Sequence, residues 1–481
     1  MLRASVVCEQ AGVPSSSLVC EGFRLQAAAA SVGLGMPNIP VALVPGHTNV
    51  QTGEELRRNI LDVTVNHVIE NLTRAPAVAA KQDEPLARDI VYRGGFDAVN
   101  QFFYAKEWSD GLPIVPPTRQ KIDAFLRFTD FDANESLATL LPDCRAATIW
   151  SIAVNGVMAG CRPEYMPLLV ALVEAMADAD YGVEHSGNTP GSETLIILNG
   201  PIIKELGFNY TQGVMRDGFL PNTSIGRFWR LYLRNVAGFM PHKNDKATYG
   251  NTWRVVVAEN EDVLARIGWP TISADMGCAP GQNTVTISRY TGGNVIVSVS
   301  GGVREHILPY LADAVVRQIS WQLMFAVSQG LGKLRPLVLL TPILAETMAK
   351  AGLSKRDVKQ YLFDHARLPA DQFERILRDW TLKPAWNLAS QAKLGRIPKV
   401  FHESDDPQRR VPLVWEPDHY MLAVTGDPLR NNAYVFAHNG LRGFPVSKPV
   451  KLPKDWDSKL AARRMISGIL APIGNQEENI Q

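Results

Sequence analysis

Three short stretches decide the fold: Ser15-Ser-Ser-Leu-Val-Cys20, Gly22-Phe-Arg-Leu-Gln-Ala-Ala-Ala-Ala-Ser-Val32 and Pro40-Val-Ala-Leu-Val-Pro45. They read as strand, helix and strand, and a crossover of that length makes the two strands parallel neighbours. A long amphipathic helix follows from Glu54 to Asn71. Thr52 and Glu55 form its capping box, and Leu56, Ile60, Val63, Ile69 and Leu72 form an apolar stripe expected to lie on the sheet. Before Ser15 stands only the end of another helix, Val6 to Ala11, closed by Gly12 and Pro14. The expectation is an α/β chain that opens with an incomplete parallel-sheet unit, Rossmann- or flavodoxin-like, over residues 1–75, its opening strand and helix missing. Such a sheet needs cover, so a homo-oligomer or hetero-oligomer is expected.

Working outward, residues 76–90 read as an Ala- and charge-rich linker. Residues 91–302 read as an α/β domain. Its helical pairs lie near Gln120–Arg127, Ala147–Gly160 and Pro163–Asp178, its strands at Thr194–Asn199 and Trp253–Glu259. A hairpin of Thr284–Tyr290 with Val295–Ser300 turns at Thr291-Gly-Gly293. Residues 303–481 read as a C-terminal α/β region. It holds a helix over Val303–Ser328, a strand at Pro336–Leu340, a helix at Lys355–Ala366 capped by Ser354 with Asp357, and late strands at His419–Thr425 and Ala433–Ala437.

The charge balance narrows the partners. Lys+Arg 49 against Asp+Glu 48 leaves +1, which provides no field for a phosphate backbone or an anionic membrane. The expectation is a small-molecule substrate, with neither nucleic acid nor membrane. Five cysteines are spread without CxxC or zinc-ligand spacing, and no secretory leader is legible, so a reducing cytoplasm is expected. The phosphate-loop, dinucleotide, zincin and serine-hydrolase signatures are all absent, no cofactor is legible, and no metal site is assigned.

The candidate chemistry lies elsewhere. In Ala159-Gly-Cys-Arg-Pro-Glu-Tyr165 one helix ends at Gly160 and another begins at Pro163, which puts Cys161 at a helix N-terminus beside Arg162. Dipole and guanidinium both favour thiolate, as a nucleophilic or redox cysteine requires. The plainer alternative is a small residue filling a tight helix-helix turn. Arg227, Arg230 and Arg234 recur on one face of the helix from Asn222 to Asn235, opposite Ile225, Phe228, Trp229 and Tyr232. They are solvated, paired with acids, or set around an anion. Asn155 and Asn199 sit on or at the ends of elements, suited to ligand contacts or to turns.

Taken together, Ala11-Gly-Val-Pro14, Gly35-Met-Pro37, Val41-Ala-Leu-Val-Pro45, Asp110-Gly-Leu-Pro-Ile-Val-Pro-Pro-Thr118, Met158-Ala-Gly-Cys-Arg-Pro-Glu-Tyr165 and Leu198-Asn-Gly-Pro201 resemble the UGSC family of (seleno)proteins, in the form that carries a long C-terminal region. The family takes its name from selenocysteine or cysteine followed by Gly-Ser-Cys, a motif this sequence lacks. The resemblance implies an enzyme with thiol or selenol chemistry and hands over no catalytic residue.

Three functions follow. The first is thiol chemistry on a small, anionic molecule, an oxidoreductase or lyase with Cys161 as nucleophile or redox thiol and Asn155, Asn199, Arg227, Arg230 and Arg234 binding substrate. The second is a lyase, hydratase or hydrolase working by acid–base residues Asp110, Glu164, Glu259 and His306, with or without a metal. The third is a non-catalytic subunit whose partner carries the missing motif.

Overall fold

The computed structural model describes residues 2–74, 86–323, 327, 332, 334–381, 387–440 and 442–467. Strands β1 (Ser17–Cys20) and β2 (Val41–Val44) pair in parallel, Ser17 opposite Val41, across the helix Arg24–Gly33. The second helical run, Gly53–Thr73, starts at the expected capping box and contains a wider π turn at Ile60–Thr64. Its orientation differs from the sequence expectation. Leu56 and Val63 are half-buried, but Ile60, Ile69 and Leu72 are exposed. The side facing the sheet carries Thr64 and His67: the Thr64 hydroxyl donates to the Leu43 carbonyl at 2.9 Å, and the Leu43 amide donates to His67 Nδ1 at 3.3 Å. These polar side chains satisfy the outer edge of β2, where a further strand would otherwise pair. Of the expected linker, residues 76–85 lie outside the described residues.

Strands β3 (Ser136–Leu140) and β4 (Arg145–Thr148) form an antiparallel hairpin. The main sheet is built from β5 (Glu193–Asn199), β6 (Val256–Ala258), β7 (Thr284–Ile296), β8 (Leu337–Leu340), then, after the small β9 (Arg367–Pro369) and β10 (Arg410–Pro412) pair, β11 (Met421–Val424), β12 (Ala433–His438) and β13 (Val446–Pro449). Its order is β11-β8-β12-β7-β5-β6, with β13 also on β7. Strands from both sides of residue 302 share this one sheet, so the expected division there does not part the structure.

The arrangement repeats. In the first half β6 runs parallel to β5 and β7 antiparallel to it; in the second β11 runs parallel to β8 and β12 antiparallel to it. The halves join through the antiparallel β7–β12 ladder, an approximate two-fold. The sheet curls until its outer strands meet: the Asn260 amide donates to the Val424 carbonyl at 2.7 Å, and the Thr425 hydroxyl to the Ala258 carbonyl at 2.8 Å. Leu195, Ile197, Val257, Tyr290, Leu337, Leu339, Met421, Ala423 and Phe436 form one cluster inside this ring. Alternate residues of the same strands face outward, into separate helical layers for the two halves.

The expected turn at Thr291–Gly293 is instead the middle of β7. A Cβ on Gly293 would stand 2.3 Å from the Tyr434 ring and 3.0 Å from Phe436. The glycine therefore makes room for two cross-strand aromatics rather than turning the chain. The N-terminal unit rests on the body through Gly33 against Pro142–Asp143, Gln26 Nε2 donating to Asn244 O at 3.2 Å, and Lys246 Nζ 5.3 Å from the Phe23 ring.

Candidate functional site

The helix Leu220–Tyr232, continued by a π turn at Leu233–Ala237, organises most of the residues singled out from the sequence. Its apolar face is buried, Phe228 and Tyr232 completely. At Gly226 it presses on the strand entry so closely that a Cβ would lie 2.2 Å from Arg254 C and Val255 N. The polar face grips the loop before Thr118. Arg227 Nε and Nη2 donate to the two oxygens of Asp110 at 3.0 and 2.8 Å, and Nη2 also reaches Pro113 O at 2.9 Å. Two turns further on, Arg234 Nε donates to Glu107 O at 2.7 Å. Asn235 Nδ2 donates both to Trp108 O at 3.1 Å and to Asn155 Oδ1 at 2.9 Å. Arg230 lies between Glu193, 3.3 Å away at the start of β5, and Asp245 at 3.8 Å.

Arg254, from the segment before β6, adds a second guanidinium 3.4 Å from Asp110. Burial raises the Asp110 carboxyl, but the bonds from Arg227 and the charges of Arg227 and Arg254 outweigh it and hold it below the ordinary aspartate range. Glu193 behaves oppositely: full burial raises it, against the pull of Arg230 and of the Thr194 amide. Three guanidiniums thus face three carboxylates in one cluster. Glu193, Asp245 and Arg254 escaped the sequence reading. Glu193 had one legible signal, a lone carboxylate opening the otherwise apolar strand Leu195–Leu198.

Cys161 stands behind this cluster, near Ser224 and Arg227, and its environment reverses the expected one. Burial pushes the thiol up to about 12, despite the Ser224 hydroxyl and the Arg227 charge. The following helical turn, Pro163–Tyr165, is a single 3-10 turn before Met166–Met176, and desolvation outweighs whatever dipole it offers. Alkylation with limiting iodoacetamide at pH 8 is therefore expected to label Cys161 more slowly than the half-buried Cys20 and Cys278. Peptide mapping that finds Cys161 first would reverse this assignment.

The remaining expected residues are elsewhere. Glu164 pairs with Arg463 at 3.3 Å. His306 is exposed on the turn Val303–Ile307. Asn199 and Glu259 are brought together at the closure of the ring: Glu259 accepts from Asn199 Nδ2 at 2.7 Å, from the Ile272 amide at 2.9 Å and from the Val424 amide at 3.2 Å. Glu259 is buried and fully engaged in tying β6 to β11. Among the described residues, no group of three or more His, Cys, Asp or Glu side chains is placed to hold a metal ion, and no helix is long and apolar enough to cross a membrane.

Residues 1–74 match the model of the UGSC family, as the sequence resemblance implied. No curated protein and no solved structure matches the chain.

Proposed function

We propose, taking the UGSC match of residues 1–74 as premise, that the body of the protein binds a small carboxylate or similar anion at Arg254, Arg227 and Arg230 and transforms it by acid–base chemistry of the lyase or hydratase kind. The observation that carries this reading is Arg254. Its side chain is 40% exposed; among the described residues its buried Nε makes no hydrogen bond, and its one carboxylate contact, Asp110, is already taken bidentately by Arg227. An incoming anion would complete the set. Asp110 is the ionised group beside the bound molecule, and Glu193 sets the local charge from beneath Arg230. A thiol mechanism would require Cys161 to ionise inside the core, which burial opposes.

The reading is tested by thermal-shift and calorimetric titration with acetate, succinate and phosphate. At least one is expected to stabilise the protein, and Arg254→Ala is expected to weaken its binding about tenfold or more, the worth of one charge-assisted contact, without lowering the unliganded Tm. Absence of binding, or equal binding by the variant, would remove the anion site.

A further inference from the structure

Among the described residues, nothing covers an apolar face of the N-terminal unit. Among the described residues thirty large apolar side chains are exposed, and eleven of them fall within residues 2–74. Four line one side of the helical run Gly53–Thr73: Leu61 (54%), Val65 (37%), Ile69 (56%) and Leu72 (45%). Their spacing of four, four and three residues is that of a helix–helix seam, and the 21-residue run is about 31 Å long. Contiguous apolar surface of this kind marks an interaction site.

We infer that this face pairs with the same face of a second copy of the chain, the two helices antiparallel about Thr64. The charges select this occupant. Arg58 and Glu70 lie six residues to either side of Thr64, and Glu54 and Arg74 lie ten to either side. In an antiparallel pair each Arg58 therefore meets Glu70 of the second copy and each Glu54 meets Arg74. The existing Glu70–Arg74 ion pair would become half of a four-charge group at each end of the seam. A parallel pair would instead set every charge against its like. All four side chains are exposed; Glu54, Arg58 and Glu70 project from the same run as the apolar stripe, and Arg74 caps its end. A two-fold contact must be self-complementary, and this sequence is.

Sedimentation velocity on the whole chain is expected to show a dimer with a Kd of about 10 μM or tighter, as a seam of this length supports. Arg58→Glu and Glu70→Arg should each weaken it about tenfold or more, since each homodimer then holds two like-charge contacts. Mixing the two variants should restore dimerisation, because the heterodimer regains opposite charges at both ends. Circular dichroism identical to the parent's would confirm that both fold. A monomer at about 50 μM would overturn the inference and leave the face to a different partner; a dimer indifferent to Arg58→Glu, or two variants whose mixture stays monomeric, would overturn it equally.

Discussion

Replacing Glu259 by alanine is expected to cost about 4 kcal/mol of folding stability, from the buried hydrogen-bond donors it would leave unpaired. Asn199 Nδ2 keeps one other acceptor, Glu261 Oε1 at 3.0 Å, but the Ile272 and Val424 amides would lose the Glu259 carboxylate. The loss falls where the ring closes, so the Asn260–Val424 backbone bond beside it would be strained as well. Glu259→Gln keeps one accepting oxygen and should cost roughly half as much. Urea denaturation of both variants decides the matter: a cost for alanine below about 1 kcal/mol would mean that Glu259 does not hold the seam.

Asp110→Asn should be nearly as damaging, at about 3 kcal/mol, because it leaves Arg227 charged in a site where that side chain is only 16% exposed. The more exposed Arg254 adds little to this figure. Since the Asp110 carboxyl is held below its unfolded value near 3.8, its contribution is present above that pH and fades as pH falls through the folded value. The asparagine variant should therefore lose its deficit relative to the parent in strong acid. Removing both partners, Asp110→Leu with Arg227→Met, should recover about half the loss, since no charge is then stranded. Thermal unfolding at pH 7 and at acid pH would reveal either pattern, and a double variant no better than Asp110→Asn would count against the ion pair.

Local signals were well legible in the sequence. The capping boxes at Thr52–Glu55 and Ser354–Asp357 both formed, and β5, β8, β11 and β12 lie within two residues of where alternation and apolar runs put them. What failed depended on distant residues. The glycine pair in β7 looks like a turn until Tyr434 and Phe436, some 140 residues later, are seen to need the space at Gly293. The stripe expected on the Glu54–Asn71 helix was split, Leu56 and Val63 half-buried and Ile60, Ile69 and Leu72 exposed, because nothing local tells that Thr64 and His67 will satisfy the edge of β2. Around Cys161 the neighbouring residues argued for a thiolate, whereas its pKa is set by burial among helices the local sequence does not mention. Asp110, Arg227, Arg230, Arg234 and Asn155 were each named from the sequence, but their partners Glu193, Asp245 and Arg254 come from loops and strand ends with no shared pattern.

A strand at the margin of an open sheet can peel away by surrendering a single ladder, and the sheet can lose its strands one at a time. The meeting of β6 with β11 removes that margin from the six-strand ring, leaving β13, which lies on β7, outside it. Every strand of the ring now has a neighbour on each flank, so releasing any of them breaks two sets of contacts and opens the apolar interior to water. The repeated halves, though each has its own outer helical layer, are consequently expected to melt as one cooperative unit.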